Sequence, residues 1–400
     1  MASIHVSHHL EGVRYEIRGP LARRADELER AGHTILKLNI GNPGAFGFRT
    51  PEAIRLAILE NLAKSEGYCH QKGILPAREA IAADFRLRGL SDVVSDHVFV
   101  GNGASELISL VLRALVDDGD EVLVPSPDYP LWTAAVTLNG AKAVHYDCPE
   151  DTGWVPRVDE VRALITPKTR ALVVISPNNP TGAVYPKATL QGLASLADEH
   201  DLVLLSDEIY DHILYEGAVH HPIGTLSKQA LVGTFGGLSK VHRACGFRVG
   251  WVGFSGALER ARDFLLGVDL LCALRLCSNV PGQWAVPAAL GGANTIDALT
   301  SRGGRLYETR RAVIEGCGRS KYLYGTAPMG ALYAFLGVRG IAGFDDRRFA
   351  LDLLEKKQVL VAPGDGFNVP YRDHFRITLL PDADTMAEVF RRMEDLLDGV

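Results

Sequence analysis

Residues 171–215 read ALVVISPNNPTGAVYPKATLQGLASLADEHDLVLLSDEIYDHILY, two apolar runs joined by an amphipathic stretch. The first run ends in Pro-Asn-Asn-Pro at 177–180 and the second in Asp207 and Glu208. Between them the chain has room for one helix, about 187–200, so the segment reads as strand, helix, strand. A right-handed crossover then brings both strand ends to one sheet edge. Outward from this unit the texture repeats in HVFV (97–100), EVLVPSP (121–127), KAVHYDC (142–148), LVGTF (231–235) and RVGWVGF (248–254). Most of these runs precede a helix-like stretch, which argues for an α/β chain with a parallel sheet covered by helices. In such sheets ligands gather at the carboxyl ends of the strands.

Beyond this region the pattern changes. Residues 259–290 are helical in tone, with Pro281 and Pro287 as breaks or starts, and a long helix crossing between domains is expected there. After about 295 come a helix (305–316), ALYAFL, a helix (345–356), QVLVAPG, HFRITLL and a last helix (382–398), the order of a small α+β domain. The first 40 residues are too short to fold alone and are expected to pack against it. The expected division is a segment 1–44, a large domain 45–295 and a small domain 296–400.

The chain has 400 residues, 47% of them hydrophobic, enough for a large core. Lysine and arginine number 42 against 48 acids, a net charge of −6, so there is no basic surplus to hold a nucleic acid. No window reaches about 18 uninterrupted apolar residues, and MASIHVSHHLEGVRYEIRGP is no signal peptide, so no membrane partner is expected and the location expected is cytoplasmic. Six cysteines without a CxxC indicate neither a metal site nor a disulfide frame.

The chemistry gathers at the ends of the runs. Asp207 closes a buried strand, where a carboxylate is costly unless it meets a cation such as a protonated ring nitrogen. Lys240, in GLSK, is a candidate Schiff-base former, because burial lowers an amine's pKa and the free amine attacks carbonyls. Arg248, after a glycine-containing bend, suits a phosphate. So does Gly101-Asn102-Gly103-Ala104-Ser105, where a strand turns into a helix whose first amides face an anion. With Asn179 and Tyr210, these marks ask for a phosphorylated aromatic aldehyde.

YEIRGP, LNIGNP, GYCHQKGI, GNGASEL, PSPDYPLWTAAV, NNPTGAVY, DEIYDHILY, LSK, GFRVGW and HFRITLLP, in this order, resemble the pyridoxal phosphate (PLP) aminotransferases of classes I and II, and among them the bacterial alanine (glutamate-pyruvate) transaminases. The resemblance covers essentially the whole chain. It implies the type I PLP fold, with a mostly parallel seven-stranded sheet in the large domain, and a homodimer with shared active sites. It implies that Lys240 carries PLP and moves a proton, that Asp207 pairs with the pyridine nitrogen, and that Tyr210 and Asn179 hydrogen-bond the ring oxygen. Tyr129 would stack on the ring. The phosphate would lie among Gly103, Ala104, Ser105, Ser239 and Arg248, with Tyr68 reaching it from the neighbouring subunit. Arg376 would grip the substrate α-carboxylate, close to the backbone of Gly41, under a segment bearing Tyr15 and Arg18. The implied reaction moves an amino group between small amino acids and 2-oxo acids, with alanine, pyruvate, glutamate and 2-oxoglutarate as the pairs.

The sequence departs from the family pattern at Gly236, His212, Ala45 and residues 269–273, none of them an implied cofactor contact. These leave open a specialised biosynthetic PLP enzyme of the same fold, acting on an unusual amino acid by transamination, elimination or oxidation. A dinucleotide-binding reading of Gly101-Asn102-Gly103 lacks its third glycine and its acidic partner.

Overall fold

The computed structural model describes residues 4–399. A short strand, β1 (Leu36–Lys37), precedes the seven of the large sheet: β2 (Val98–Gly101), β3 (Glu121–Ser126), β4 (Lys142–Asp147), β5 (Thr169–Ile175), β6 (Val203–Asp207), β7 (Leu231–Gly237) and β8 (Gly250–Gly256). Their spatial order is β2-β8-β7-β6-β5-β3-β4. These are the seven apolar runs of the sequence. They lack alternation because both faces are covered: helices Ala104–Leu115, Leu131–Leu138 and Arg262–Leu274 pack on one side, and Lys187–His200 on the other.

The strand β8 is antiparallel to both its neighbours, β2 and β7, and the remaining pairs are parallel. It therefore begins at the edge where the others end, which adds the loop containing Arg248 to theirs. Gly250 makes the approach possible, since a Cβ there would strike the backbone amide of Ala104.

The remaining strands are β9 (Leu323–Tyr324), β10 (Tyr333–Val338), β11 (Val359–Leu360), β12 (Ala362–Pro363) and β13 (His374–Thr378). Four of them form an antiparallel sheet in the order β12-β13-β10-β9, while β11 pairs in parallel with β1. Helices Arg305–Arg319, Asp346–Lys357 and Ala383–Leu397 contribute to the core of this sheet. Two of these helices start on an aspartate cap that accepts a backbone N–H three residues on, Asp345 from Arg348 at 2.8 Å and Asp382 from Thr385 at 2.7 Å. The N-terminal helix Pro20–Arg30 packs Ala25 against Leu354 and Leu360.

The long helix expected over 259–290 is instead three: Arg262–Leu274, Val280–Gln283 and Ala285–Leu290. The chain turns left-handed at Leu276 (φ 66°), and Pro281 starts a new turn capped by Asn279, whose Oδ1 accepts from Gly282 N at 3.0 Å.

Candidate active site

The ends of β2, β3, β5, β6 and β7 and the start of β8 surround one cavity of about 600 Å³. Tyr15, Arg18, Gly41, Ala104, Ser105, Tyr129, Asn179, Asp207, Tyr210, Ser239, Lys240, Arg248 and Arg376 all line it. Two residues singled out from the sequence do not. Gly103 lies just behind the wall, and Tyr68 is 81% exposed on the surface of the chain.

At one end of the cavity, Gly103 turns with φ 85° into the helix that begins at Ala104. A Cβ at Gly103 would run into the Arg248 guanidinium. Arg248 donates through Nη1 to the Cys245 carbonyl at 3.0 Å and through Nη2 to the Asn102 carbonyl at 3.2 Å. Asn279 braces both sides, with its N–H on Asn102 Oδ1 at 2.9 Å and its Nδ2 on the Arg248 carbonyl at 2.9 Å. A guanidinium, a hydroxyl from Ser239 and the free first amides of a twelve-residue helix thus share one wall, a constellation suited to a dianion.

On the floor, Asp207 is 4% exposed. Its Oδ2 accepts from Trp132 Nε1 at 3.0 Å and its Oδ1 from Ile209 N at 3.3 Å. Burial pushes its carboxyl up, against the pull of the Trp132 bond. A cationic ring nitrogen supplies what such a buried carboxylate lacks. Burial also holds the phenols of Tyr129 and Tyr210 protonated well above the ordinary tyrosine value, so both remain donors.

Lys240 donates from Nζ to the Gly41 carbonyl at 2.7 Å. Here the structure differs from expectation. Burial does pull the ammonium down, but the charge that Tyr333 and Cys245 carry when ionised raises it by more, so it lies above the usual lysine value. In the free chain it is a hydrogen-bonded cation.

Arg376 on β13 is 1% exposed. Its Nη1 donates to Asn179 Oδ1 at 2.8 Å, its Nη2 donates to the Asn39 carbonyl, and its Nε has no partner among the described residues. Its guanidinium lies 4.4 Å from the ring centre of Tyr333 and 4.7 Å from that of Phe367. At the mouth the hydroxyls of Tyr15 and Tyr129 meet at 3.1 Å, and Arg18 is exposed.

Sequence reasoning missed Trp132 and Tyr333. Both lie inside stretches quoted for other reasons, PSPDYPLWTAAV and ALYAFL, where a buried aromatic is unremarkable. Among the described residues, no cluster of three or more His, Cys, Asp or Glu side chains is arranged to hold a metal, and no helix is long and apolar enough to cross a membrane.

The family model for aminotransferase class I and II matches residues 33–393. The chain belongs to that family. This aminotransferase is 45% identical to the glutamate-pyruvate aminotransferase AlaA of Escherichia coli K12, over 100% of its own length and 99% of that protein's. It is 46% identical to an alanine aminotransferase of Mycobacterium tuberculosis H37Rv, over 97% of this chain and 91% of the other. A crystal structure of an aminotransferase from Escherichia coli superposes with a TM-score of 0.98 at 45% identity, covering 100% and 99% of the two chains. The aminotransferase's cofactor is pyridoxal phosphate. The cavity fits that group on its own terms: a side-chain-free cradle at Gly103 beside Arg248, a buried carboxylate at Asp207, and a lysine between them and Arg376.

Proposed function

We propose that this aminotransferase exchanges amino groups between alanine and pyruvate and between glutamate and 2-oxoglutarate. The observation that carries the reading is the pairing, in one cavity, of a buried arginine fixed by two carbonyl-type oxygens with a lysine that faces it. Bound there, pyridoxal phosphate supplies an electron sink for the charge left on the substrate α-carbon.

The chain's own residues do the rest. The Ala104 and Ser105 amides, with the Gly103 turn behind them, the Ser239 hydroxyl and Arg248 would hold the phosphate. Asp207 would keep the ring nitrogen protonated, with Trp132 steadying the carboxylate. Asn179 spends its oxygen on Arg376, which leaves its amide N–H₂ for the ring oxygen beside the Tyr210 hydroxyl. Tyr129 would cover the ring face. Lys240 would be the point of attachment, and its amine would take the proton from the substrate α-carbon once released. Arg376 would bind the α-carboxylate as a bidentate fork near the Gly41 backbone, a task for which lysine is a poor substitute. Ile17, Ile40 and Tyr15 narrow the chamber to small side chains, and Arg18 at the mouth offers a second cation for the side-chain carboxylate of glutamate.

The division into 1–44, 45–295 and 296–400 is supported by Leu38 packing in the core of the smaller sheet and by β1 pairing with β11. A cytoplasmic location is supported by six free cysteines. A homodimer is supported by the helix Arg262–Leu274, which exposes Leu266, Leu270 and Leu274 at helical spacing, and by Gln71, which ties the Tyr68 segment to that helix through Asp269 at 3.1 Å.

Mixing the purified aminotransferase with alanine, glutamate, aspartate and phenylalanine one at a time, and following the cofactor's visible absorption, tests the specificity. Alanine and glutamate should convert it fastest. Conversion by neither overturns the proposal. Mixing inactive Tyr68→Ala and Lys240→Ala chains tests the shared site: hybrid dimers should regain activity, and proven subunit exchange without recovery rejects it.

A further inference from the structure

Tyr333 opens β10 and is 3% exposed, at the meeting point of four segments. Its ring stands edge-on to that of Tyr210, with centres 5.7 Å apart and planes at 83°, and the two hydroxyls meet at 3.0 Å. The Arg376 guanidinium lies 4.4 Å from its ring centre. Gly41 is side-chain-free where the phenol passes, because a Cβ there would collide with the Tyr333 hydroxyl. Gly182, in NNPTG, turns at φ 74° directly over its carbonyl, 3.0 Å from where a Cβ would stand. Gly41 and the Arg376 guanidinium flank the phenol, and the Gly182 turn packs on its backbone.

A phenol carries one proton and two acceptor sites. If the Tyr210 hydroxyl donates to the cofactor's ring oxygen, it has no proton left for Tyr333. Among the described residues, Tyr210 is the one hydrogen-bond partner of the Tyr333 hydroxyl. The arrangement that satisfies both phenols reverses the bond between them. We propose that Tyr333 is a positioning residue acting through Tyr210: in the loaded enzyme its hydroxyl donates to the Tyr210 oxygen, which fixes the Tyr210 proton on the ring oxygen and sharpens it as a donor. Hydrogen bonds in a chain polarise one another, so the inner bond is stronger with the outer one present. The proposal rests on the reading of Tyr210 given above.

The readout is spectroscopic. A hydrogen bond donated to the ring oxygen draws electron density from the conjugated nitrogen that links the cofactor to Lys240, so that nitrogen holds its proton less tightly. Weakening the bond raises its pKa, visible as a shift in the pH titration of the cofactor's absorption. Tyr210→Phe in the loaded enzyme should raise that pKa, and Tyr333→Phe should raise it in the same direction by about half a unit to one unit. The double variant should titrate like Tyr210→Phe alone, within about 0.2 unit, because Tyr333 works only through its neighbour. Phenylalanine keeps the ring under Arg376, so kcat should carry the loss while KM for alanine changes less than about threefold. An unshifted Tyr333→Phe titration beside a shifted Tyr210→Phe one overturns the relay. So do additive shifts, or a large rise in KM. A Tyr210→Phe titration that does not move overturns the reading of Tyr210 itself.

Discussion

Asp207 and Trp132 stand 75 residues apart in the chain and meet at 3.0 Å in the fold. The indole N–H is the donor that offsets part of what burial does to the carboxyl. Trp132→Phe keeps a ring against Phe235 and removes the donor. A hydrogen bond to a charged group is worth ~1.5–3 kcal/mol, so kcat should fall roughly 10- to 150-fold with the fold intact by circular dichroism. Arg18 differs from Arg376 in being exposed, and its partner would be present only on glutamate. Arg18→Ala should slow the glutamate half-reaction roughly two- to fivefold more than the alanine half-reaction in single-turnover kinetics, the yield of an exposed ion pair. Asp207, Lys240 and Arg376 were legible in the sequence because each is a charge in or at the end of an apolar run, which needs explaining on sight. Trp132 and Tyr333 were not, because an aromatic in such a run needs no explanation until its partner, 75 or 123 residues away, is placed beside it.

On the proposed reading, cofactor affinity would depend on the turn from β2 into the helix at Ala104. Gly103→Ala would place a side chain at φ 85° and against Arg248. At φ 85° and ψ 159° the backbone is in a region nearly reserved for glycine, which costs stability, while displacement of Arg248 removes a charged hydrogen-bond donor from the proposed phosphate site, so titration of the apoenzyme with pyridoxal phosphate should show a Kd raised by about tenfold or more. The strands themselves were readable because burial on two faces leaves unbroken apolar runs. The direction of β8 was not. An apolar run carries no arrow, and direction follows from the connection: residues 238–249 hold only a single 3-10 turn, Cys245–Phe247, too short for a crossover, so the chain returns antiparallel. The break after Leu274 was half readable, since Pro281 marks a start but nothing in the composition announces a left-handed leucine at 276.

Across the whole molecule, the loop bearing Tyr129 is fastened to the segment that follows β12. Asp128 accepts from Asn368 Nδ2 at 2.8 Å and from Thr133 Oγ1 at 2.6 Å, and its own N–H donates to the Phe367 carbonyl at 3.1 Å. Burial pushes its carboxyl up to about 7 despite those bonds. The folded value lies above the unfolded one, near 3.8, so between those values the native chain holds a proton that the unfolded chain has shed. Stability from this group is therefore lost as pH rises through that window and stays lost above it. Asp128→Asn remains neutral throughout and can still satisfy both Asn368 and Thr133. Urea titrations should find it equal to wild type near pH 4 and more stable by roughly 2–4 kcal/mol at pH 8.

The amine of Lys240 is bonded to the Gly41 carbonyl. In the free chain, that bond helps to anchor the first 44 residues to the large sheet. Attachment of the cofactor at Lys240, as proposed, would take the same nitrogen. On that reading, loading the site would trade one tether of the Gly41 segment for the cofactor, and the segment would then hang on its remaining ties, among them Leu38 N to the Leu360 carbonyl at 2.8 Å and Thr378 N to the Leu38 carbonyl at 3.1 Å.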